Sequence, residues 1–154
     1  MPKQKPITHK RIKKAIKKLR KKYLQKEMPP ESTYYDINNG NCEEFAYYVL
    51  KHLNGGKETK QLYFLCNDSF MIYKDDDHIW DIDLIKKYWP NVAPLKGSTL
   101  EDLNRIRFGT HVWLFDGTRH YDAECPKGTK NFLKLPIFKR KIKRFVSKSN
   151  KPIC

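Results

Sequence analysis

The sequence predicts a single α+β domain, and three observations support this prediction. Apolar residues recur at helical spacing in residues 12–23 and 45–53, whereas short β-rich runs bounded by turn residues follow between residues 61 and 123. The chain has 154 residues and 39% hydrophobic content, which suits one core and is too short for two comfortable ones. No internal repeat divides it.

The net charge of +15 is concentrated at the two ends of the chain. Residues 1–28 contain 12 Lys and Arg against one acidic residue, and residues 134–154 contain 8 against none. The remaining middle contains 12 against 16. Basic ends of this kind favour attraction to nucleic acid or another acidic partner, with a solvated helix face or binding to a membrane surface as the alternatives.

Neither a membrane span nor a cofactor is predicted. No apolar run approaches the roughly 20 residues that span a bilayer, so we expect a protein of the cytoplasm, or of the host cytoplasm if the chain is viral. The four cysteines lack Cys-x-x-Cys pairing, which argues against a zinc module or a disulfide framework. The acidic run at 75–77 lacks the spaced ligands of a calcium loop.

The first segment, residues 1–28, predicts a basic amphipathic helix that is capped by Thr8 and stopped by Pro29-Pro30. Its apolar stripe consists of Ile12, Ile16, Leu19 and Tyr23. We expect the basic residues to face outward, and four of them are candidate contacts for an anionic partner: Lys13, Lys17, Arg20 and Lys21.

A turn-rich stretch, residues 31–41, leads into a second amphipathic helix that ends at Gly55-Gly56. Its apolar face consists of Phe45, Val49 and Leu53. Cys42 lies in its first turn, where unsatisfied amides and a partial positive charge favour a thiolate over a thiol. A small buried apolar residue is the alternative role for such a cysteine.

Strand patterns follow this helix. Residues 61–66 and 70–73 predict a hairpin that turns at residues 67–69, and residues 78–82 predict a third strand. The capping box Ser98–Glu101 predicts a helix that continues to about residue 106.

Beyond the last hairpin, we expect an edge strand within residues 132–138 and then a basic tail over residues 139–154, with a helical piece at 138–146 as the alternative. The expected organisation is therefore a basic N-terminal helix, residues 1–28, a central domain, residues 29–138, and the tail.

Asp116-Gly117 between two β-rich runs is the strongest short-range hairpin signal in the sequence. If these two residues form the turn, residue 115 pairs with 118, 113 with 120 and 111 with 122. His111 and Asp122 would then lie opposite each other, with Cβ atoms about 4.5–5.5 Å apart. One imidazole nitrogen could donate to the carboxylate, which leaves the other nitrogen for a nucleophile.

A helix-start cysteine, a strand histidine and an acid on the next strand supply the nucleophile, base and orienting group of acyl transfer. The order Cys42, His111, Asp122 resembles the transglutaminase-like branch of the papain-like cysteine enzymes. The residues that carry the resemblance are Gly40-Asn41-Cys42 with the helix 43–50, His111-Val112-Trp113 and Tyr121-Asp122-Ala123-Glu124. It implies a core helix bearing Cys42 that packs on an antiparallel sheet bearing the other two residues.

In the mechanism that this resemblance implies, His111 takes the thiol proton, Asp122 fixes the histidine tautomer, and Cys42 attacks an amide or ester carbonyl to give a thioester. The Cys42 backbone N–H would hold the oxyanion, with Asn41 or Asn39 as candidate second donors. Because the chain is small and lacks the calcium apparatus of large transglutaminases, we favour hydrolysis of a protein or peptide amide, as a peptidase, amidase or deamidase, over cross-linking.

Other assignments stay open. His120 shares the predicted face of the candidate base and is an alternative to it, and Cys125 is an alternative nucleophile that precedes a proline in a loop. We expect His52 at the surface and His78 in a structural role. Trp113 would line a substrate cleft or else belong to the core. The competing function is a non-enzymatic basic protein that binds nucleic acid through its termini.

Overall fold

The computed structural model describes residues 5–68, 71–74, 77–78 and 109–149, which form an α+β fold as predicted. The α-helices in these residues are α1 (His9–Glu27), α2 (Tyr34–Asn38), α3 (Cys42–Asn54) and α4 (Pro136–Ser149). The strands are β1 (Tyr63–Asp68), β2 (Met71–Lys74), β3 (Asp77–His78), β4 (Val112–Phe115), β5 (His120–Asp122) and β6 (Cys125–Thr129). A short 3₁₀ helix spans Phe132–Lys134.

The six strands form one sheet in the order β3-β2-β1-β4-β5-β6, and every neighbouring pair is antiparallel. Strands β1 and β4 lie at its centre, with Cys66 opposite Val112 and Tyr63 opposite Phe115. The residues that begin β4 and end β5 are therefore held well inside the sheet, where their positions are fixed by neighbours on both sides.

Helical segments cover both faces of this sheet. Successive strand residues point to opposite faces, and Leu114 belongs to the core cluster that includes the apolar residues of α1 and α3. Its neighbour Trp113 instead stacks on Phe132 and meets Phe138 edge-on, with ring centroids 5.9 and 5.5 Å away. The sheet is therefore enclosed by α1 and α3 on one face and by the 3₁₀ helix and α4 on the other.

Helix α1 is part of the core. Its predicted apolar stripe is buried, and the Thr8 side chain caps it by accepting from the Arg11 N–H at 3.3 Å, as predicted. Arg20, which we expected to face a partner, turns inward instead: it donates to the Ala123 carbonyl at 3.2 Å and stacks on the Tyr34 ring. One of the basic residues of α1, Arg20, therefore helps to hold the helix against the body of the protein.

Helix α3 starts at Cys42 and ends at Asn54, and its C-cap Gly55 adopts the left-handed conformation that glycine allows, so the predicted helix is confirmed. Helix α2 was not predicted. It is nucleated by a capping box in which Asp36 and Thr33 exchange hydrogen bonds, inside the stretch that the sequence marked as turns. Gly40, with φ of 133°, joins the two helices in a conformation that other residues rarely adopt.

Three predicted elements differ. Strand β1 continues to Asp68, so residues 67–68 are strand rather than turn. The edge strand expected within 132–138 is wrong: residues 132–138 form the 3₁₀ helix and the start of α4, and β6 lies at this edge of the described sheet. The boundary expected at residue 139 therefore lies inside a helix, in keeping with the helical alternative.

Other predictions fall partly outside the described residues. The third strand is seen only at Asp77–His78, and the side chain of His78, the helix of residues 98–106 and most of the acidic run at 75–77 lie beyond them. No helix in the described part of the chain has both the length and the apolar character to cross a membrane.

Candidate active site

The hairpin of β4 and β5 turns one residue later than predicted. Leu114 lies opposite Tyr121 and Phe115 opposite His120, so the two turn residues are Gly117 and Thr118. Asp116 precedes the turn and accepts hydrogen bonds from the backbone N–H groups of residues 118 and 119, at 2.9 and 2.7 Å. The aspartate thus shapes the turn with its side chain, a common use of Asx residues that the Asp-Gly rule does not anticipate.

The observed pairing of β4 with β5 therefore differs from the predicted pairing by two residues, and every side chain stays on its predicted face. Trp113, rather than His111, is now in line with Asp122. His111 and Asp122 nevertheless meet diagonally across the hairpin, with 3.1 Å between His111 Nε2 and Asp122 Oδ2. The predicted contact is therefore present, although the predicted pairing that led to it is wrong.

Asp122 is anchored on both carboxylate oxygens. Its Oδ1 accepts from the backbone N–H groups of Glu124 and Cys125, at 3.0 and 2.9 Å, and its Oδ2 faces His111. The residue is 5% exposed. Because the tight turn into β6 satisfies one oxygen from the backbone, the other oxygen is held in place for the imidazole.

The backbone of His111 is fixed by Asn67, a residue that the sequence assigned to a turn. Asn67 Oδ1 accepts from the His111 N–H at 2.7 Å, and its Nδ2 donates to the Gly109 carbonyl at 2.8 Å. The Asn67 N–H also donates to the His111 carbonyl at 3.2 Å. Asn67 therefore positions the histidine where β4 begins, and no sequence signal separates it from an ordinary turn asparagine.

The imidazole of His111 lies between Asp122 and Cys42. It is fully buried, and its Nδ1 makes no hydrogen bond among the described residues. Burial favours the neutral ring, but the hydrogen bond to Asp122 and the contact with Cys42 outweigh it and raise the pKa of His111 from 6.5 to about 9. Protonated His111 is thus favoured at neutral pH.

Cys42 shows the complementary shift. Burial would raise the pKa of this half-buried thiol, but contact with the His111 imidazole and hydrogen bonds from the Val112 and Glu43 backbone amides lower it overall. The lowered pKa of Cys42 and the raised pKa of His111 favour the same charge state, a thiolate beside an imidazolium.

Helix α4 adds a cation near this pair. Lys141 is half-buried, and its Nζ lies near Gly109, just before His111. Burial lowers the pKa of Lys141, while the charge of the nearby Cys42 thiolate acts in the opposite direction. The sequence placed Lys141 in a tail, so nothing in its pattern linked it to Cys42.

A second polar network ties α2 and α4 to the turn after Asp122. Arg140 forms a bidentate ion pair with Glu124, with both N···O distances at 2.6 Å, and Asn38 Nδ2 donates to the same carboxylate at 3.0 Å. The guanidinium also lies 4.4 Å from the centre of the Tyr35 ring. Glu124 therefore joins the element before Cys42 to the element that carries Asp122.

Several other predicted site residues occupy different environments. Asn41 donates its side-chain N–H to Met28 Sδ at 2.7 Å, which turns it away from the oxyanion role expected for it. Trp113 is 1% exposed and lies in the core, so the cleft assignment is wrong and the core alternative is right. Among the basic residues of α1, Lys17 and Lys21 are exposed and Lys13 is half-buried.

The alternative base and nucleophile lack the required electrostatics. His120 Nδ1 accepts from the Trp113 indole N–H at 2.9 Å, and burial lowers the pKa of His120 to about 4. The pKa of Cys125 is raised to about 11, mainly by burial and by the Asp122 carboxylate. His52, as expected, is exposed.

A cleft of about 590 Å³ lies beside the candidate triad. It is lined by residues next to two triad members, by three consecutive residues of β1 and by three acidic residues, among others: Gly40, Glu43, Glu44, Tyr47, Glu58, Phe64, Leu65, Cys66 and Val112. Its volume lies within the usual range for a small-molecule or short peptide site.

The described residues contain no group of three or more His, Cys, Asp and Glu side chains arranged to hold a metal ion. Comparisons with protein-family models, with curated proteins and with solved structures give no match for this chain. The transglutaminase-like family therefore stays a prediction from Cys42, His111, Asp122 and the segments that carry them.

Proposed function

We propose that this protein is a thiol-dependent acyl-transfer enzyme of the transglutaminase-like kind that hydrolyses an amide or ester. The observation that carries the proposal is the buried His111 imidazole, bonded to Asp122 on one side and beside Cys42 on the other. The opposite pKa shifts of Cys42 and His111 support it, because the reactive form of such a pair is a thiolate with an imidazolium.

In the first half-reaction, the Cys42 thiolate attacks the carbonyl carbon of the substrate. The carbon–nitrogen bond of the tetrahedral intermediate then breaks, and His111 gives its proton to the leaving amine, which leaves a thioester on Cys42. In the second half-reaction, neutral His111 takes a proton from water as its oxygen attacks the thioester. The carbon–sulfur bond breaks, the carboxylic acid leaves, and the thiolate–imidazolium pair is restored.

The oxyanion of each tetrahedral intermediate needs donors close to Cys42. As the first residue of α3, Cys42 has a backbone N–H without a partner inside the helix, so it can donate to the oxyanion. Lys141 supplies a positive charge near Cys42, although α4 rather than the loop before α3 carries it. We assign the second electrostatic contribution to Lys141 in place of Asn41.

The decisive experiment measures the alkylation rate of each cysteine by iodoacetamide between pH 5 and pH 9, with the modified residue identified by mass spectrometry. We expect Cys42 to react well below the free-thiol midpoint of about 8.5. His111→Ala should remove this enhancement, whereas His52→Ala, at an exposed position on the same helix as Cys42, should preserve it.

Two results would contradict the proposal. One is a Cys42 that reacts no faster than a free thiol in the folded protein. The other is an enhancement that survives His111→Ala, since the thiolate would then owe nothing to the imidazole. Circular dichroism of each variant shows that the fold is retained.

A second candidate function has an observation of its own in the outer face of α1. Seven lysines along this helix are exposed: Lys10, Lys14, Lys17, Lys18, Lys21, Lys22 and Lys26. They form a continuous basic stripe opposite the buried one, which suits the phosphates of a nucleic acid. This function would be independent of Cys42.

Deletion of residues 1–28 would remove core residues, so substitution is the better test of this stripe. Lys17→Gln with Lys21→Gln should weaken the binding of a DNA or RNA duplex and reduce the salt slope by about two. The matched control, Lys57→Gln with Lys60→Gln, removes two exposed charges from the loop before β1. Equal effects of the two double variants would exclude a specific role for α1.

A further inference from the structure

Resting on the proposed function, we propose that the cleft beside Cys42 selects a cationic acyl substrate, a peptide with lysine or arginine next to the amide that is cleaved. Residues that follow two members of the candidate triad line the cleft: Glu43 follows Cys42 in the chain, and Val112 follows His111. We expect a peptide held there to present a carbonyl to the Cys42 thiolate.

The charge of the cleft is opposite to that of the protein. Three carboxylates line it, from Glu43, Glu44 and Glu58, and its described lining includes no lysine or arginine, although the chain carries a net charge of +15. Because salt screens charges beyond about 8–10 Å, a ligand inside the cleft responds most strongly to the side chains that line it.

The three carboxylates come from two separate elements. Glu43 and Glu44 occupy the first turn of α3, where acidic residues stabilise a helix N-terminus in any protein. Glu58 lies in the loop before β1, and that explanation does not apply to it. It accepts from the Phe64 N–H at 2.8 Å, which holds its carboxylate against the cleft wall.

The remaining lining suits the hydrocarbon part of a long basic side chain. Phe64, Leu65 and Val112 provide apolar surface, and Tyr47, which is 49% exposed, presents an aromatic ring at the rim. Lysine and arginine side chains pack their methylene stems on apolar surface, place their charged tips beside carboxylates and stack on aromatic rings. The combination of apolar floor, aromatic rim and acidic wall matches this geometry.

The test uses three peptidyl vinyl sulfones of identical length that differ only in the residue next to the electrophile: lysine, norleucine or glutamate. We expect the lysine probe to label Cys42 on the order of tenfold faster than the norleucine probe, and the glutamate probe to be slowest. Raising the salt concentration should reduce the difference, since the preference is electrostatic.

Variants that neutralise single carboxylates test whether the cleft is the source of the preference for the lysine probe. Glu43→Gln and, independently of the helix terminus, Glu58→Gln should each reduce the ratio of lysine to norleucine labelling. Glu31→Gln, which removes an exposed acid outside the cleft, should leave the ratio unchanged.

Equal labelling by the three probes, or equal effects of Glu31→Gln and the two cleft variants, would overturn the inference. The reaction of Cys42 with iodoacetamide, which is small and neutral, shows whether the thiol is activated regardless of any charge preference. It therefore distinguishes this result from failure of the proposed function. If its reaction with Cys42 remains enhanced, the enzyme proposal stands and only the charge preference is lost. If that enhancement is absent, both proposals fall together.

Discussion

Cys42 and Cys125 are both half-buried thiols near the His111–Asp122 pair, yet their pKa values shift in opposite directions. Burial raises the pKa of both. At Cys42, an imidazole and two backbone amides outweigh the effect of burial and lower the pKa of the thiol. Cys125 is instead next to the carboxylate of Asp122, which raises its pKa further. The neighbours of a thiol, more than its burial, therefore decide whether it is suited to act as a nucleophile.

The two buried histidines of the hairpin repeat this contrast. His111 faces a carboxylate and a thiol, and its pKa rises to about 9, whereas His120 accepts a hydrogen bond from the Trp113 indole and its pKa falls to about 4. An acceptor nitrogen bonded to an N–H donor cannot also hold a proton. His120 is thus fixed as a neutral core residue although it lies on the same face as His111.

The largest effect should come from exchanging the nucleophile. Cys42→Ser should lower the hydrolysis of a peptide p-nitroanilide by about three orders of magnitude or more, because serine at neutral pH is not ionised by this imidazole. Cys125→Ser should retain activity within about twofold. A larger loss in Cys125→Ser than in Cys42→Ser would reverse the assignment of the two thiols.

The second effect concerns the pH profile. The reactive thiolate–imidazolium pair forms above the lowered pKa of Cys42 and is lost as pH rises through about 9, the pKa of His111, so kcat/KM should be bell-shaped. Asp122→Asn removes one of the two groups that raise the pKa of His111, the other being Cys42. It should lower kcat/KM by about 10²- to 10⁴-fold and move the alkaline limb to lower pH.

The control for this profile is Asp116→Asn, which alters the hairpin turn and the hydrogen bond from the Tyr121 hydroxyl. It should reduce stability and leave the alkaline limb where it is. An unchanged alkaline limb in Asp122→Asn would mean that the carboxylate does not set the protonation of His111.

A third effect, on stability, should be seen at Glu124. Glu124→Gln breaks the bidentate pair with Arg140 and should lower the free energy of unfolding in urea by about 1–3 kcal/mol. Arg140→Met and the double variant complete a cycle that isolates the pair from the hydrogen bond of Asn38 to the same carboxylate. Strictly additive effects would show that the pair contributes no coupling.

The smallest effect should come from Lys141→Met. Loss of a positive charge near Cys42 should raise the pKa of its thiol and slow alkylation at pH 6.5 by a few-fold, in keeping with a partly solvated interaction. Lys143→Met, at an exposed position on the same helix, is the matched control. Indistinguishable rates in the two variants would remove Lys141 from the site.

Local rules predicted the elements with strong patterns. The stripes of α1 and α3, the cap at Thr8 and the stop at Gly55 follow from helical periodicity and capping, and all are present. The contact of His111 with Asp122 was also foreseen. The contact is present although the predicted turn residues were wrong. The observed strand pairing differs from the predicted one by two residues, which keeps every side chain on its predicted face.

What could not be predicted depends on contacts between distant residues. Strand β6 contains a proline and a glycine and has no alternating pattern, and it forms because β5 provides a partner. Asn67 and Lys141 reach the site through the pairing of β1 with β4 and the packing of α4. Asn67 is 44 positions from His111 in the chain, and Lys141 is 30 positions from it. No local sequence pattern therefore indicates that either residue lies close to His111.

The inward contacts of α1 constrain how the chain can fold as it is synthesised. His9 Nδ1 lies 2.7 Å from the Tyr121 hydroxyl, 112 residues away, and Arg20 reaches the Ala123 carbonyl, 103 residues away. Helix α1 therefore cannot complete these contacts until residues 121–123 have been synthesised, which makes its docking a slow, high-contact-order step. Asp122 lies in the same stretch, so the contact of His111 with Asp122 also forms only after that stretch has been added to the chain.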